Sequence, residues 1–264
     1  MLPYTTYLID LDGVVYRGNE LLPGAKEFVA WLNANSKKYL FLTNNSFASE
    51  AQVLEKLVSL SIVTDEGHVL GAAQAAVKNI ARRFPHSVVY LIGEQPLHNM
   101  LLEHQLQVVD EDTHKPAVVL VGLDRHFDYQ KLTRAVHAVR AGASFIAINR
   151  DPLLPVAGDL LPGTGTMVAA IEAGSGVTPE VIGKPQPTLF QEAMRMLGSQ
   201  PGETVMIGDV LTVDIKGAKA AGIHTILVLS GKESPTDVAA SPIKPDYIYD
   251  NIAAVLAELE GKSR

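Results

Sequence analysis

The chain alternates two kinds of hydrophobic pattern. Short unbroken apolar runs predict buried strands, and stretches with an apolar residue every three or four positions predict amphipathic helices. Residues 7–9 predict a first strand ending at Asp10, and 23–32 a helix that Pro23 opens and that carries Phe28, Trp31 and Leu32 on one face. A second strand at 39–42 and a second helix at 49–60 follow. Strand, helix, strand, helix predicts a parallel sheet with right-handed crossovers. The alternation continues with a helix at 71–84, a strand at 88–93, a helical segment around Met100, a strand at 117–122, a helix at 129–141 and a strand at 144–148 that stops at Asn149. A glycine-rich stretch at 158–165 leads into an apolar helix at 167–173. Val181 and Ile182 then run into Gly183-Lys184-Pro185, followed by a helix at 188–197 and a strand at 204–207 ending on Gly208 and Asp209. A helix at 214–221 closed by Gly222, a strand at 225–229 and a last helix at 251–259 complete the pattern, which contains no repeat and no low-complexity segment.

Composition narrows the function classes. At 264 residues, 47% of them hydrophobic, the chain can bury a large core and sits near the size at which one core stops growing, so one large domain and two smaller ones are both compatible with it. It has no cysteine, which excludes disulfides, thiolate metal sites and a cysteine nucleophile. No apolar run approaches the roughly 18 residues of a membrane span and no signal-type segment opens the chain, so a cytoplasmic location is expected. A formal charge of −7 without any dense Lys/Arg run argues against nucleic-acid and anionic-membrane partners and points to small-molecule chemistry.

The chemically unusual residues sit where strands are predicted to end. Asp10 and Asp12 are two apart, so in an extended segment both emerge on one face, and Gly13 can turn the chain directly after them. Thr43 and Asn44, with Asn45 and Ser46, form a polar cluster behind the second strand; Lys184, Asp209 and Asp214 follow later predicted strands. In doubly wound sheets ligands bind outside the carboxyl ends of the strands, so residues this far apart in sequence can converge there. Carboxylates suit magnesium, and a hydroxyl, an amide and a lysine beside the ion suit a phosphate. Each residue also has a plainer reading on its own: solvated acids at a turn for Asp10 and Asp12, a helix N-cap for Thr43 and Asn44, a surface lysine for Lys184, a loop acid and an N-cap for Asp209 and Asp214. Gly163-Thr164-Gly165-Thr166 invites a phosphate-loop reading but lacks the lysine of that motif, and reads as the entry to a helix. The eight histidines show no metal-ligand spacing.

The motifs Asp10-Leu11-Asp12-Gly13-Val14, Leu42-Thr43-Asn44-Asn45, Gly183-Lys184-Pro185 and Gly208-Asp209 with Asp214-Ile215 resemble those of the haloacid dehalogenase-like phosphatases. Ile92-Gly93-Glu94 and Val121-Gly122-Leu123-Asp124-Arg125 look like cap stretches of the NagD and 4-nitrophenylphosphatase group, so the likeness runs along nearly the whole chain. The resemblance implies an α/β fold: a Rossmann-like three-layer core with a parallel sheet from 1–84 and 179–264, and an inserted α/β cap domain at 85–178. It implies magnesium-dependent hydrolysis of small phosphomonoesters, among them sugar phosphates, nucleotide monophosphates and compounds like 4-nitrophenyl phosphate. Asp10 would be the nucleophile that forms an aspartyl-phosphate, and Asp12 the proton donor to the leaving oxygen and later the base. Mg2+ would be held by the Asp10 and Asp209 side chains and the Asp12 carbonyl, the phosphate by Thr43, Asn44 and Lys184, with Asp214 orienting Lys184 or a metal-bound water. The sequence departs from the group at Asn149-Arg150-Asp151, where Asn-Pro-Asp is common, and at Val213, where threonine is common. Arg150 is therefore a candidate substrate contact. The resemblance leaves room for a homodimer through the cap. The alternatives are a signalling or non-catalytic phosphate-binding module and a phosphomutase or dehalogenase of the same superfamily; Asp12 and the cap favour the hydrolase.

Overall fold

The structure is a computed structural model that describes residues 2–44, 50–65, 67–109, 115–156 and 159–262. These residues fall into two compact units, one from those of 2–43, 50–70 and 184–262, the other from Asn44 and those of 71–183.

The first unit is built on a six-stranded sheet in the order Tyr247–Tyr249, His224–Val228, Thr204–Gly208, Thr6–Asp10, Lys38–Thr43, Val69–Gly71. Thr6–Asp10 lies in the middle and is parallel to both neighbours, with Tyr7 opposite Val205 on one side and Tyr39 on the other. A strand covered on both faces must be apolar throughout rather than alternating, and Tyr7, Leu8 and Ile9 are all fully buried. The Tyr7 ring stands edge-on to Phe28 and Trp31 of the helix Ala25–Ala34, at 5.9 and 6.2 Å between centroids. That helix packs against Ile252–Leu259, while Pro187–Leu197 and Lys216–Ala220 form a second packed pair, which makes the core a Rossmann-like three-layer arrangement. Because the strands run parallel and in register, their carboxyl ends lie at one edge: Asp10 is opposite Leu42, and Gly208 opposite Leu227. The residues that follow these ends are the candidate site.

The second unit is an α/β domain with its own five-stranded sheet, in the order Glu180–Val181, Ser144–Ala147, Val118–Val121, Val88–Ile92, Gln107–Val109, with every neighbouring pair parallel. Its core includes Tyr90, Val119, Phe145, Val168 and Ile171, and the helices Tyr129–Arg140 and Thr164–Ser175 pack together over it. The helix Ala72–Arg83 also belongs to this unit, where the Arg83 guanidinium bonds both carboxylate oxygens of Glu180, at 2.7 and 2.6 Å.

The predicted strands and helices recur within a few residues of their expected ends. Several elements were not anticipated: the three-residue strands Val69–Gly71, Gln107–Val109 and Tyr247–Tyr249, the helix Pro235–Ala240, and the antiparallel pair Leu153–Val156 and Asp159–Pro162. Three residues are too few to show a period, and the paired strands carry Pro155 and Pro162, which normally argue against a strand. The helix expected at 214–221 opens with a wide turn, Leu211–Ile215, before Lys216–Ala220. Asn45, Ser46, Ser49 and Gly158 lie outside the described residues.

Candidate active site

Asp10 is the last residue of its strand, and the chain then turns tightly, with the Val15 and Tyr16 amides both donating to the Leu11 carbonyl at 2.9 and 3.2 Å. Gly13 makes the turn at φ +81°, and a Cβ there would lie 2.4 Å from Asp209 Oδ2, so only glycine fits between the two acid-bearing loops. Asp12 is exposed, whereas Asp10 is mostly covered. The two acids of one short loop thus experience different surroundings, one facing solvent and one facing a buried charge cluster.

Lys184 is at the centre of that cluster. Its side chain is 3% exposed, and Nζ donates to Asp10 Oδ1 at 2.5 Å and to Asp214 Oδ1 at 2.7 Å. Asp214 is itself buried in the wide turn after the strand Thr204–Gly208, and its Oδ2 accepts from the Val210 amide at 3.1 Å. Asp209 Oδ2 accepts from the Lys232 amide at 2.9 Å. Asp10, Asp209 and Asp214 each offer a carboxylate oxygen within 4.8 Å of the others.

Three carboxylates therefore share one ammonium. Burial pushes the Asp10 carboxyl up to about 7; Lys184 works against that rise, and the negative charges of Asp214 and Asp209 add to it. Burial and the Asp214 charge likewise push Asp209 up to about 6. For Lys184, burial alone would favour the neutral amine, but its contacts with Asp10 and Asp214 outweigh burial and keep it protonated well above its ordinary range. The cluster is short of positive charge, and its donors are hard oxygens, which is the donor set a magnesium ion takes. The carboxylates of Asp10 and Asp209 fit such an ion, while both oxygens of Asp214 beside them are engaged by Lys184 and the Val210 amide.

Of the residues singled out in the sequence, Asp10, Lys184, Asp209 and Asp214 come together directly. Thr43 ends the strand beside Asp10, one residue past Leu42. Asn44 and Arg150 are in the second unit. There the Asn44 carbonyl accepts from Asn149 Nδ2 at 3.0 Å, and the exposed Arg150 is ion-paired with Glu172. Gly163-Thr164-Gly165-Thr166 is a helix entry, with Gly163 as cap and Thr166 Oγ1 bonded to the Gly163 carbonyl at 2.8 Å. The segment around Lys232 that holds Asp209 was not anticipated, because a main-chain donor leaves no mark on residue type.

The chain matches a haloacid dehalogenase-like hydrolase family over residues 7–107 and a HAD-hydrolase-like family over 181–255. It is similar to the acid sugar phosphatases of Staphylococcus epidermidis, at 36% identity over 98% of this chain and 100% of the relative, and of Staphylococcus aureus, at 37% over the same shares. Among solved structures it resembles the p-nitrophenyl phosphatase of Archaeoglobus fulgidus, with a TM-score of 0.89, 31% identity and coverage of 97% of this chain and 100% of the other. NagD from E. coli gives 0.88 at 29% identity, covering 96% and 98%. The chain belongs to the haloacid dehalogenase-like hydrolases. Within them it stands with the NagD and p-nitrophenylphosphatase group, and it is a phosphatase, a phosphoric monoester hydrolase.

The raised carboxyl of Asp10 has a measurable consequence. Folded Asp10 keeps its proton up to about pH 7, while the unfolded chain loses it near the ordinary value of 3.8. Between those values the folded state binds more protons, so the Asp10 contribution to stability falls as pH rises through that window. In chelator, the urea midpoint of Asp10→Asn relative to the wild type should therefore shift in the variant's favour between about pH 4 and about pH 7. A difference that is flat with pH would show that Asp10 is not the group held protonated.

Proposed function

We propose that this phosphatase hydrolyses small phosphorylated metabolites, sugar phosphates foremost, with magnesium and through an aspartyl-phosphate on Asp10. The observation that carries the reading is the strand-end carboxylate of Asp10 hydrogen-bonded through Oδ1 to buried Lys184, within a cluster of three acids. With Oδ1 engaged by the ammonium, Oδ2 is the oxygen that attacks phosphorus, and the bond from phosphorus to the ester oxygen breaks. Asp12, exposed and two residues on, gives its proton to the departing oxygen. The resulting Asp12 carboxylate takes a proton from water as that water attacks the phosphoenzyme, which frees inorganic phosphate and restores Asp10.

Lys184 remains protonated throughout and meets the negative charge on the transferring phosphoryl oxygens, while its 2.7 Å contact with Asp214 fixes where Nζ sits. Thr43 and Asn44 donate hydrogen bonds to the same oxygens. The carboxylates of Asp10 and Asp209 and the main-chain carbonyl of Asp12 would hold magnesium, which would supply the positive charge that lets an anionic nucleophile approach a dianionic ester. The acid sugar phosphatase relatives support sugar phosphates as the first class to test. The same proposal includes a cytoplasmic location and a homodimer formed through the second unit. It includes no nucleic-acid partner, which the formal charge of −7 supports, and no membrane partner; among the described residues no helix is long and apolar enough to cross one.

Three outcomes test it. Phosphate release from a panel of sugar phosphates, nucleotide monophosphates and 4-nitrophenyl phosphate should be seen with magnesium and be lost with chelator; phosphoryl transfer between substrates without release would instead make the protein a phosphomutase. Asp10→Asn should fold, by circular dichroism, and retain no more than about one part in a thousand of wild-type kcat; substantial activity in a clean preparation would remove Asp10 as nucleophile. Arg150→Ala should raise KM for substrates with a second anionic group several-fold with little change in kcat, and identical kinetics across the panel would remove Arg150 from substrate selection.

A further inference from the structure

Beyond the strand His224–Val228, four consecutive residues reach both acid-bearing loops. Ser230 Oγ donates to the Gly13 carbonyl at 2.7 Å, and the Ser230 carbonyl accepts from Arg17 Nη2 at 2.5 Å. Gly231 follows with no room for a side chain: a Cβ would stand 2.0 Å from Asp209 Oδ2 and 2.4 Å from Asp209 Cβ. The Lys232 amide donates to Asp209 Oδ2, and Glu233 Oε1 accepts from the Leu211 amide at 3.1 Å. The sheet itself asks for none of these contacts. Strand pairing on this side ends at Val228 with Tyr249, and one further bond joins the Leu229 amide to the Tyr249 carbonyl.

The segment thus leaves one strand, passes the end of its neighbour Thr204–Gly208, and ties down the turn after the next, Thr6–Asp10. We infer that 230–233 is a strap that holds the two metal-bearing loops in register, with Ser230 and Glu233 as its positioning residues. The inference rests on the proposal that Asp10, Asp209 and the Asp12 carbonyl hold magnesium. Ser230 anchors the Gly13 carbonyl, one peptide unit beyond the Asp12 carbonyl that would be a ligand, and so limits how far that neighbouring peptide can turn. Lys232 occupies one oxygen of Asp209 and so sets the plane of that carboxylate. Glu233 holds the amide two residues past Asp209 and keeps the loop from moving away from its partner. Groups that orient metal ligands in this way are worth about 10- to 100-fold in metal affinity when removed.

The test compares Ser230→Ala, Glu233→Ala and Glu233→Gln with the wild type, measuring Mg2+ binding by calorimetry on substrate-free protein and the Mg2+ dependence of 4-nitrophenyl phosphate hydrolysis. Ser230→Ala and Glu233→Ala should each bind Mg2+ about tenfold more weakly, with KM for the ester unchanged at saturating metal. Glu233→Gln should restore most of the affinity, because its amide oxygen still accepts from the Leu211 amide. Metal affinity unchanged in both alanine variants, or a glutamine variant as weak as the alanine one, would overturn the strap. Asp209→Asn separates the two levels: if it weakens Mg2+ binding while the strap variants do not, only the strap fails, and if it too binds as the wild type does, the metal assignment fails and the strap with it.

Discussion

A single buried ammonium holds the site together. Lys184 lies between Asp10 and Asp214, and two carboxylates at that spacing would repel each other by about 4 kcal/mol at an effective dielectric of about 20. Breaking a buried pair by removing one partner costs far more than the pair contributes, since the remaining charge stays out of water. The acids can therefore be concentrated at the sheet edge only because the lysine is delivered to the same point. It is delivered as the first residue of the returning segment, directly after Gly183 closes the second unit. The point at which the chain re-enters its first unit is thus also the point that neutralises its charge cluster.

One ammonium does not neutralise three carboxylates, and that imbalance links the fold to the chemistry. The cluster is protonated further than free carboxyls would be, or it takes up a cation; both relieve the same excess negative charge. Asp10 must lose its proton to act as a nucleophile, so a cation in the cluster favours the reactive form of the residue it touches. Asp12 is exposed, which suits the proton exchange with the leaving oxygen and with water that is proposed for it.

The parts of this arrangement that a sequence reader can find are those written in residue type and period. The run Tyr7-Leu8-Ile9 is a buried strand because no polar residue interrupts it, and the Asp10, Asp12 spacing places both acids at its end. Lys184 could be singled out only through the company of the other motifs; alone it has the pattern of a surface lysine, yet it is among the most buried charged side chains of the chain. The strap at 230–233 was invisible because serine, glycine, lysine and glutamate after a strand are ordinary loop composition, and its key donor is a main-chain amide. Arg150 illustrates a third limit: its ion pair with Glu172 joins two segments twenty-two residues apart, which no local pattern encodes. The short strands at Val69–Gly71 and Gln107–Val109 were missed for a simpler reason, since an element shorter than two periods carries no periodicity.

The division of the candidate residues between the two units suits the tasks proposed for them. Attack on phosphorus tolerates little positional error, and the groups proposed for it sit where parallel strands in fixed register, a crowded glycine and a buried ion pair leave them few alternative positions. Recognition of the rest of a substrate is a weaker constraint that must vary with the substrate. Asn149, Arg150 and Asp151 stand on a loop after the strand Ser144–Ala147, supported by a core of their own around Phe145 and Val168. A substitution at an exposed loop position such as Arg150 costs that core little. Charge and shape at this exposed position can therefore change at little cost to folding, as the selection role proposed for Arg150 requires.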